Sequence, residues 1–246
     1  MPLTIAIDGP VGAGKSTISD EVANRLGILH LDTGAMYRAV GLAATGAGID
    51  PADEKAVSAL CEKGGAQVDI RYENGKQITL LNGEDVSSRI RTQEAGGAAS
   101  AVSRYPAVRT MLVRRQQEMA QEQPMLLDGR DIGTVVLPHA TVKIYLTASP
   151  EARARRRMDQ LREKGDQTPF EAILKEVNAR DYQDMNRALT PLRQAEDAIL
   201  LDSSDLNFEE TVSAILALVE ALLQMSPFVF WDASQWFCFC FHVHLK

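Results

Sequence analysis

The stretch Gly9-Pro10-Val11-Gly12-Ala13-Gly14-Lys15-Ser16-Thr17 decides the fold of this chain. It matches the pattern GxxxxGK[ST], in which glycines let backbone N–H groups close around phosphate oxygens. A strand-like apolar run at residues 3–8 precedes it, and a helical pattern with Ile18, Val22 and Leu26 at i, i+4 and i+8 follows it. A strand, a glycine loop and a helix in this order predict a phosphate-binding loop at a helix N-terminus, rather than a chance glycine-rich turn.

The loop predicts a nucleoside triphosphate and a divalent cation as ligands. Lys15 would reach the β- and γ-phosphates, and Ser16 would hold Mg2+ directly or through water. In an open α/β sheet, ligands bind beyond the carboxyl ends of the strands. Asp8, Asp32 and Asp128 each end an apolar run. One such residue is usually a turn or cap, but their coincidence favours a site in which Asp128 holds Mg2+ through water.

The bulk properties exclude several classes of protein. The chain has 246 residues and a net charge of -7, which argues against a general nucleic-acid binder. Its three cysteines, Cys61, Cys238 and Cys240, form no disulfide framework. The N-terminus shows no basic segment followed by an apolar one, as a secretory signal would. We therefore expect a cytoplasmic protein with no membrane partner and no nucleic-acid partner.

Alternating strands and helices predict an α/β fold, with a five-stranded parallel sheet flanked by helices. The five apolar runs lie at residues 3–8, 28–31, 125–128, 142–147 and 198–201. Ser149-Pro150 is typical of a helix start. Thr168-Pro169 followed by Glu171 predicts a second start with a capping box.

One segment breaks the alternation. Extended runs at 68–72 and 77–81 flank Asn74-Gly75, which is a strong hairpin signal. We predict a small antiparallel insert over about 62–103, inside a domain whose core is 1–61 and 104–224.

Two clusters of charge suit phosphoryl transfer, in which cations neutralise the transferring group. Arg180, Asp184 and Arg187 are spaced to share one helix face. A basic run, made of Arg153, Arg155, Arg156 and Arg157, precedes a break at Lys164-Gly165-Asp166. The alternative interpretation of both clusters is a charged surface exposed to solvent. In the functional interpretation, residues of about 153–166 form a lid that excludes water.

Four segments together resemble the bacterial cytidylate kinase family, over about residues 4–223. They are LDTGAMYR at 31–38, SRIRTQE at 88–94, DGRDIGTVV at 128–136 and RDYQDMNR at 180–187. The resemblance implies the P-loop kinase fold, with the antiparallel insert extending the monophosphate-binding region. It also implies ATP-dependent phosphorylation of CMP and dCMP to CDP and dCDP, with Mg2+, in pyrimidine nucleotide metabolism.

The resemblance also implies roles for individual residues. Lys15, Arg130 and Asp128 would be catalytic, and Arg156 and Arg157 would join the loop in binding ATP. The CMP-binding set would comprise base readers, phosphate-binding arginines and groups around the sugar. These are Ser100, Arg109 and Asp131 for the base, Arg38, Arg130 and Arg180 for the phosphate, and Tyr37, Asp184 and Arg187 for the sugar. Thr33 stands where the family usually has Ser, and it keeps the hydroxyl.

Three rival functions use the same loop. A kinase for another acceptor, such as UMP or shikimate, is disfavoured by Asp131 and Arg109, which suit cytosine. A GTP-loaded switch protein is disfavoured because Asn-Lys-x-Asp is absent from the sequence. An ATPase acting on nucleic acid is disfavoured because Gly129, rather than a second acidic residue, follows Asp128. No feature predicts an oligomer, and we expect a monomer.

The aromatic tail at 225–246 differs in kind from the rest of the chain, and we expect it to lie outside the kinase fold. It contains both tryptophans, Trp231 and Trp236. Three interpretations compete: a frameshift, fusion or misread terminus; a membrane-contacting segment; and metal binding by Cys238, Cys240, His242 and His244. Alternate residues of one strand lie roughly 6.5–7 Å apart, too far to surround one tetrahedral ion.

Overall fold

The computed structural model describes residues 2–163 and 165–225, so the predictions for the segment beyond Met225 lie outside the described residues. The strands, in chain order, are β1 (Thr4–Asp8), β2 (Leu29–Asp32), β3 (Val68–Glu73), β4 (Lys76–Leu81), β5 (Glu84–Asp85), β6 (Met125–Gly129), β7 (Val142–Thr147) and β8 (Ile199–Asp202). The α-helices are α1 (Lys15–Leu26), α2 (Thr33–Gly46), α3 (Glu54–Glu62), α4 (Gln93–Val102), α5 (Pro106–Glu122), α6 (Pro150–Arg162), α7 (Phe170–Asn186) and α8 (Phe208–Met225). A π-helical turn spans Ile132–Val136.

Five strands form a parallel sheet in the order β2-β6-β1-β7-β8, which confirms the predicted architecture. The predicted strand positions agree with the observed ones to within one residue at each end. Asp8 pairs in register with Gly129, and Asp32 pairs with Asp128. The three predicted aspartates therefore end neighbouring strands at one edge of the sheet, where the site is built.

Pleating divides the core between the two faces of the sheet, because successive side chains of a strand point to opposite sides. Ile5 and Ile7 of β1 pack with α1 and α8 on one face, whereas Ala6 packs with α2 and α5 on the other. Strands covered on both faces need the continuous apolar runs that the sequence shows. Among the described residues, none of the helices combines the length and apolar character needed to cross a membrane.

The predicted hairpin is present. β3 and β4 pair antiparallel around Asn74 and Gly75, whose φ angles of 51° and 77° suit a tight two-residue hairpin turn. β5 adds a third strand, but the antiparallel pairing ends at Asp85. Residues 93–102 instead form α4, which packs so closely on α2 that a Cβ at Gly41 would lie 2.7 Å from the Cβ of Ala98. The antiparallel interpretation of the whole 62–103 segment was therefore too broad.

Both predicted helix starts are present, because α6 begins at Pro150 and α7 begins at Phe170, but the predicted capping of α7 is wrong. The Ser149 hydroxyl accepts a hydrogen bond from the Ala152 backbone N–H at 3.1 Å, so Ser149 caps α6. The capping box at Thr168 does not form, and Pro169 stands at the N-cap of α7. The Thr168 hydroxyl instead donates to the Asp166 carboxylate at 2.6 Å.

Candidate active site

The phosphate-binding loop joins β1 to α1 in a conformation that only glycine can adopt at its tightest points. A Cβ on Gly9 would lie 1.9 Å from the Leu146 carbonyl oxygen. Gly12 and Gly14 have φ angles of 75° and 82°, in the left-handed region that side chains disfavour. The glycines therefore allow the tight turn that leads into the N-terminus of α1, and a helix N-terminus is a place where anions bind.

Lys15 begins α1 and is only 6% exposed. Its Nζ donates to the Pro10 carbonyl oxygen at 2.8 Å. Burial lowers the pKa of Lys15 to about 7, and the positive charge of Arg130 acts in the same direction. A polyanion entering the loop would favour the charged form again, since an opposite charge nearby raises the pKa of an ammonium group.

Asp128 lies at the carboxyl end of β6, beside the loop. Its Oδ2 accepts from the Ser16 hydroxyl at 2.8 Å, and its backbone oxygen accepts from the Thr33 hydroxyl at 2.8 Å. Burial alone would raise the pKa of Asp128, but hydrogen bonding and charge from His30 outweigh it and hold the pKa below its usual range. The result is an ionised carboxylate beside a hydroxyl, a pair of oxygen ligands that suits a hard divalent cation.

His30, which sequence reasoning missed, lies buried between two carboxylates. Its Nε2 lies 3.2 Å from Asp128 Oδ1, and its Nδ1 lies 3.4 Å from Asp20 Oδ1. Burial alone would lower the pKa of His30, but the hydrogen bonds to Asp128 and Asp20 raise it to about 9. The charged imidazole therefore fixes the second oxygen of Asp128. One feature of the sequence could have indicated His30: it stands two residues before Asp32, so both side chains lie on the same side of β2.

Asp131 lies at the start of the π-helical turn, which Asp8 anchors to β1. The Asp8 carboxylate accepts the backbone N–H groups of Ile132 at 2.8 Å and Gly133 at 2.7 Å. Burial raises the pKa of Asp8 to about 6, against the effect of these two bonds. These two hydrogen bonds hold the turn in place. Asp8 therefore fixes the position of Asp131, which directly precedes the two donor residues.

The Asp131 carboxylate faces two arginines in a buried ion-pair group. Arg109 donates to one oxygen, and Arg187 lies 3.6 Å from the other. Arg109 also donates to the Tyr37 hydroxyl at 3.3 Å. Within the described residues, Nη2 of Arg187 has no hydrogen-bond partner although it is buried. The group thus offers an acceptor and spare N–H donors side by side.

A second group of arginines surrounds the space between α2, α4 and α7. Arg38 donates to the Ile90 carbonyl oxygen at 3.0 Å, and Arg180 donates to the Gly96 carbonyl oxygen at 3.2 Å. Arg130 pairs with Asp184 at 2.8 Å. Burial lowers the pKa of both Arg38 and Arg180, and the charge of Arg130 contributes to both shifts. Burial and mutual repulsion both disfavour the charged form of these arginines, and a bound anion would offset both effects. The group is therefore a candidate anion site.

One cleft of about 780 Å³ brings the two arginine groups together with the phosphate-binding loop. Its lining contains all of the predicted CMP-binding residues: Thr33, Tyr37, Arg38, Ser100, Arg109, Arg130, Asp131, Arg180, Asp184 and Arg187. It also contains Lys15, Ser16, Thr17, Asp128 and Arg157. Three residues of the loop are buried and do not line the cleft: Gly9, Pro10 and Ala13. Arg187 follows the last residue of α7 and so is not part of the helix face on which it was predicted.

The basic run does not act as one surface, because its four arginines have different environments. Arg155 is exposed and Arg157 lines the cleft. Arg156 points to the loop after β8, where it donates to the backbone oxygens of Ser203 and Leu206. Arg156 is not part of the described cleft lining, and its contact with ATP stays a prediction.

Arg153 is the structural member of the basic run. It is 3% exposed and pairs with Asp181 of α7 through two hydrogen bonds, at 3.0 and 2.6 Å. The same guanidinium donates to the carbonyl oxygens of Val11 at 2.9 Å and Ala148 at 2.8 Å. It therefore ties the phosphate-binding loop to both α6 and α7.

We expect Arg153→Met to lower the free energy of unfolding by about 3 kcal/mol or more, because Asp181 is left charged and buried without a partner. Urea unfolding would measure it. The control is Arg155→Met on the exposed side of α6, which should change stability by no more than about 0.5 kcal/mol. Equal stability of the two variants would contradict the structural role of the Arg153–Asp181 pair.

The glycine loop, the buried lysine and the cation-lined cleft at the end of a parallel sheet define a P-loop kinase. Sequence comparison identifies its family: the cytidylate kinase family model matches residues 5–221. The chain belongs to the cytidylate kinase family.

Individual relatives agree with this assignment. The cytidylate kinase of Caldicellulosiruptor bescii is 47% identical over 88% of this chain and 95% of its own length. The cytidylate kinase of Pasteurella multocida is 45% identical over 91% of this chain and 97% of its own. Among solved structures, an uncharacterised protein from Eubacterium ventriosum superposes with a TM-score of 0.51 at 9% identity, covering 89% of this chain and 99% of that one, and shows the fold alone.

Proposed function

We propose that this protein transfers the γ-phosphoryl group of ATP to CMP and dCMP, forming CDP and dCDP. The observation that carries the proposal is the buried Asp131–Arg109 pair in the same cleft as the phosphate-binding loop. The cytidylate kinase names of the relatives support the same acceptor.

The base would be read by Asp131, Arg109 and Ser100. Cytosine presents an exocyclic amine next to N3 and O2 acceptors, and a carboxylate accepts from that amine. Asp131 would receive the amine while Arg109 donates to the acceptor side. Uracil has a carbonyl in place of the amine, and this carbonyl would face the lone pairs of Asp131.

The acceptor phosphate would lie among the half-buried Arg38, Arg130 and Arg180. Among the described residues Arg130 pairs with Asp184, whereas Arg38 and Arg180 form no ion pair. Tyr37, Asp184 and Arg187 would surround the sugar, and Thr33 is the first residue of α2, directly after β2. Because the acceptor is already an ionised phosphate, no general base is needed. Positioning and charge neutralisation by this chain's own residues can then supply the rate.

Lys15 would act on the donor phosphates, and Arg130 would face the transferring group from the acceptor side. Mg2+ fits the oxygen ligands present, with Ser16 holding it directly or through water and Asp128 through water. In the described part of the chain, no group of three or more His, Cys, Asp or Glu side chains is arranged to hold a metal. Phosphate oxygens would therefore complete the coordination, and the bound ion would supply further neutralising charge.

A coupled assay of ADP release tests the proposal, with CMP, dCMP, UMP, AMP and shikimate as acceptors. We expect CMP and dCMP to be the fastest, and we expect EDTA to abolish the activity and added Mg2+ to restore it. A higher rate with UMP, AMP or shikimate would overturn the proposed substrate. Activity that survives EDTA would overturn the proposed role of the cation.

The matched pair Arg157→Ala and Arg156→Ala tests the lid. We expect Arg157→Ala to raise the KM for ATP by about tenfold, as expected for a lost charged hydrogen bond, because Arg157 lines the cleft. In this structure Arg156 contacts the loop after β8, so its replacement should lower the melting temperature more than it changes kinetics. Steady-state kinetics and thermal unfolding of both variants would separate the roles. A kinetic defect in Arg156→Ala alone would mean that Arg156 leaves Ser203 to bind ATP.

The proposal also covers the organisation of the chain. Residues 1–224 would form the kinase domain, with 62–103 as the monophosphate-binding insert and 153–166 as the lid. The proposal also includes a monomer, and light scattering would measure the mass. We also propose a cytoplasmic location, supported by the scarcity of cysteine.

A further inference from the structure

β2 is the outer strand of the parallel sheet as described, so within residues 2–163 and 165–225 one of its edges lacks a neighbouring strand. An unpaired edge presents a row of backbone N–H and C=O groups that need partners. On β2 the open edge includes the carbonyl of His30 and both backbone groups of Asp32, because alternate residues of a strand direct these groups to the same side. Asp32 is also the last residue before α2.

The hairpin of β3 and β4 supplies the missing partners through side chains. The Gln77 side-chain oxygen accepts from the Asp32 backbone N–H at 2.8 Å, and its Nε2 donates to the Asp32 carbonyl oxygen at 3.3 Å. The Tyr72 hydroxyl donates to the His30 carbonyl oxygen at 2.9 Å. One amide group thus imitates a strand neighbour at the last residue of β2.

The orientation of the Gln77 amide is determined by its surroundings. Nε2 has a second acceptor, the Thr79 hydroxyl oxygen, at 3.2 Å. A flipped amide would set its oxygen against the Asp32 carbonyl oxygen and its NH2 group against the Asp32 N–H, so both bonds to Asp32 would be lost. The hairpin itself is held on α2, where Leu81 and Val68 pack against Ala35 and Ala39. Gln77 therefore joins a docked element to β2 through a defined pair of bonds.

Asp32 lies at the start of α2, the helix that carries residues of the acceptor side into the cleft. Its carboxylate caps α2 by accepting from the Ala35 backbone N–H at 3.1 Å. The next residue, Thr33, bonds to the backbone of Asp128, and α2 carries Tyr37 and Arg38 into the cleft. A small rotation of the backbone at Asp32 would therefore move several acceptor contacts together.

We propose that Gln77 is a positioning residue for the acceptor nucleotide, acting through the backbone of Asp32. This inference rests on the proposed function, since CMP is taken as the acceptor. In the sheet, β6 separates β2, which Gln77 contacts, from β1 and the phosphate-binding loop that follows it, so the effect of Gln77 should fall on CMP and spare ATP.

Gln77→Met tests the inference, because it keeps an unbranched side chain of similar length and removes both bonds to Asp32. We expect the KM for CMP to rise by about tenfold, corresponding to the loss of two ordinary hydrogen bonds. The KM for ATP and kcat should stay within about twofold, a margin below the effect of one such bond. The control is Lys76→Met on the exposed neighbouring position, which should leave all three parameters unchanged. Hydrogen exchange should also show faster exchange of the Asp32 amide in Gln77→Met.

The outcomes separate this inference from the proposed function. If the wild type does not phosphorylate CMP, the proposed function fails, whereas exchange at Asp32 still tests the Gln77 contact. If the wild type is active and Gln77→Met leaves the KM for CMP unchanged, or changes both KM values equally, the positioning role is wrong. Should Gln77→Met fold poorly, Gln77→Glu keeps the length but sets a carboxylate against the Asp32 carbonyl, and it should show the same selective rise.

Discussion

Lys15→Ala is expected to lower kcat by about 10²- to 10³-fold, the size found when one preorganised donor to the transition state is removed. The reason is that Lys15 is buried at the start of α1 and directed along the phosphate-binding loop. Its charge acts mainly on negative charge that develops during transfer, so the affinity for CMP should change little. Steady-state kinetics with a separate measurement of CMP binding would check both statements.

The control for Lys15→Ala is Lys63→Ala, since Lys63 is an exposed residue just after α3. That variant should match the wild type in turnover and in melting temperature. A turnover of Lys15→Ala within about threefold of wild type, or ~0.65 kcal/mol, would contradict the assigned role. Thermal unfolding of Lys15→Ala would show whether any loss comes from folding instead, because the substitution also leaves the Pro10 carbonyl oxygen without its donor.

Asp131→Asn is expected to lower kcat/KM for CMP by about 10²-fold and to narrow the preference for CMP over UMP by at least about tenfold. Each good hydrogen-bonded contact to a base is worth about 1–3 kcal/mol of discrimination. Asparagine keeps the size of the side chain but presents an amide N–H that can donate to the uracil carbonyl. Kinetics with both acceptors would measure the change in preference.

Asp184→Asn is the matched control for base selection. Asp184 pairs with Arg130 and is assigned to the sugar, so its replacement should lower activity with both acceptors without altering their ratio. A poorly active Asp131→Asn enzyme with an undiminished preference for CMP would assign Asp131 a structural role. In that case its main task would be to hold Arg109 and Arg187 in the buried ion-pair group.

The features that sequence alone determined are those that depend on short stretches of chain. The phosphate-binding loop follows from its glycines and from the apolar runs on either side. The hairpin at Asn74-Gly75 follows from a turn that accommodates two positive φ angles. The parallel sheet follows from buried strands alternating with helices. Because the carboxyl ends of parallel strands share one edge, the same pattern predicts that Asp128 lies near the loop.

Other features were decided by contacts between residues far apart in the chain. His30 meets Asp128 98 residues later, and Gln77 meets Asp32 45 residues earlier. Arg153, in a run whose composition is typical of solvated surface or a mobile lid, is buried against Asp181 of the next helix. Periodicity shows which face of an element is apolar, but it does not show which polar groups meet when the elements pack. The tertiary structure alone assigned these partners, because burying a charge or an amide requires a partner that only packing brings within reach.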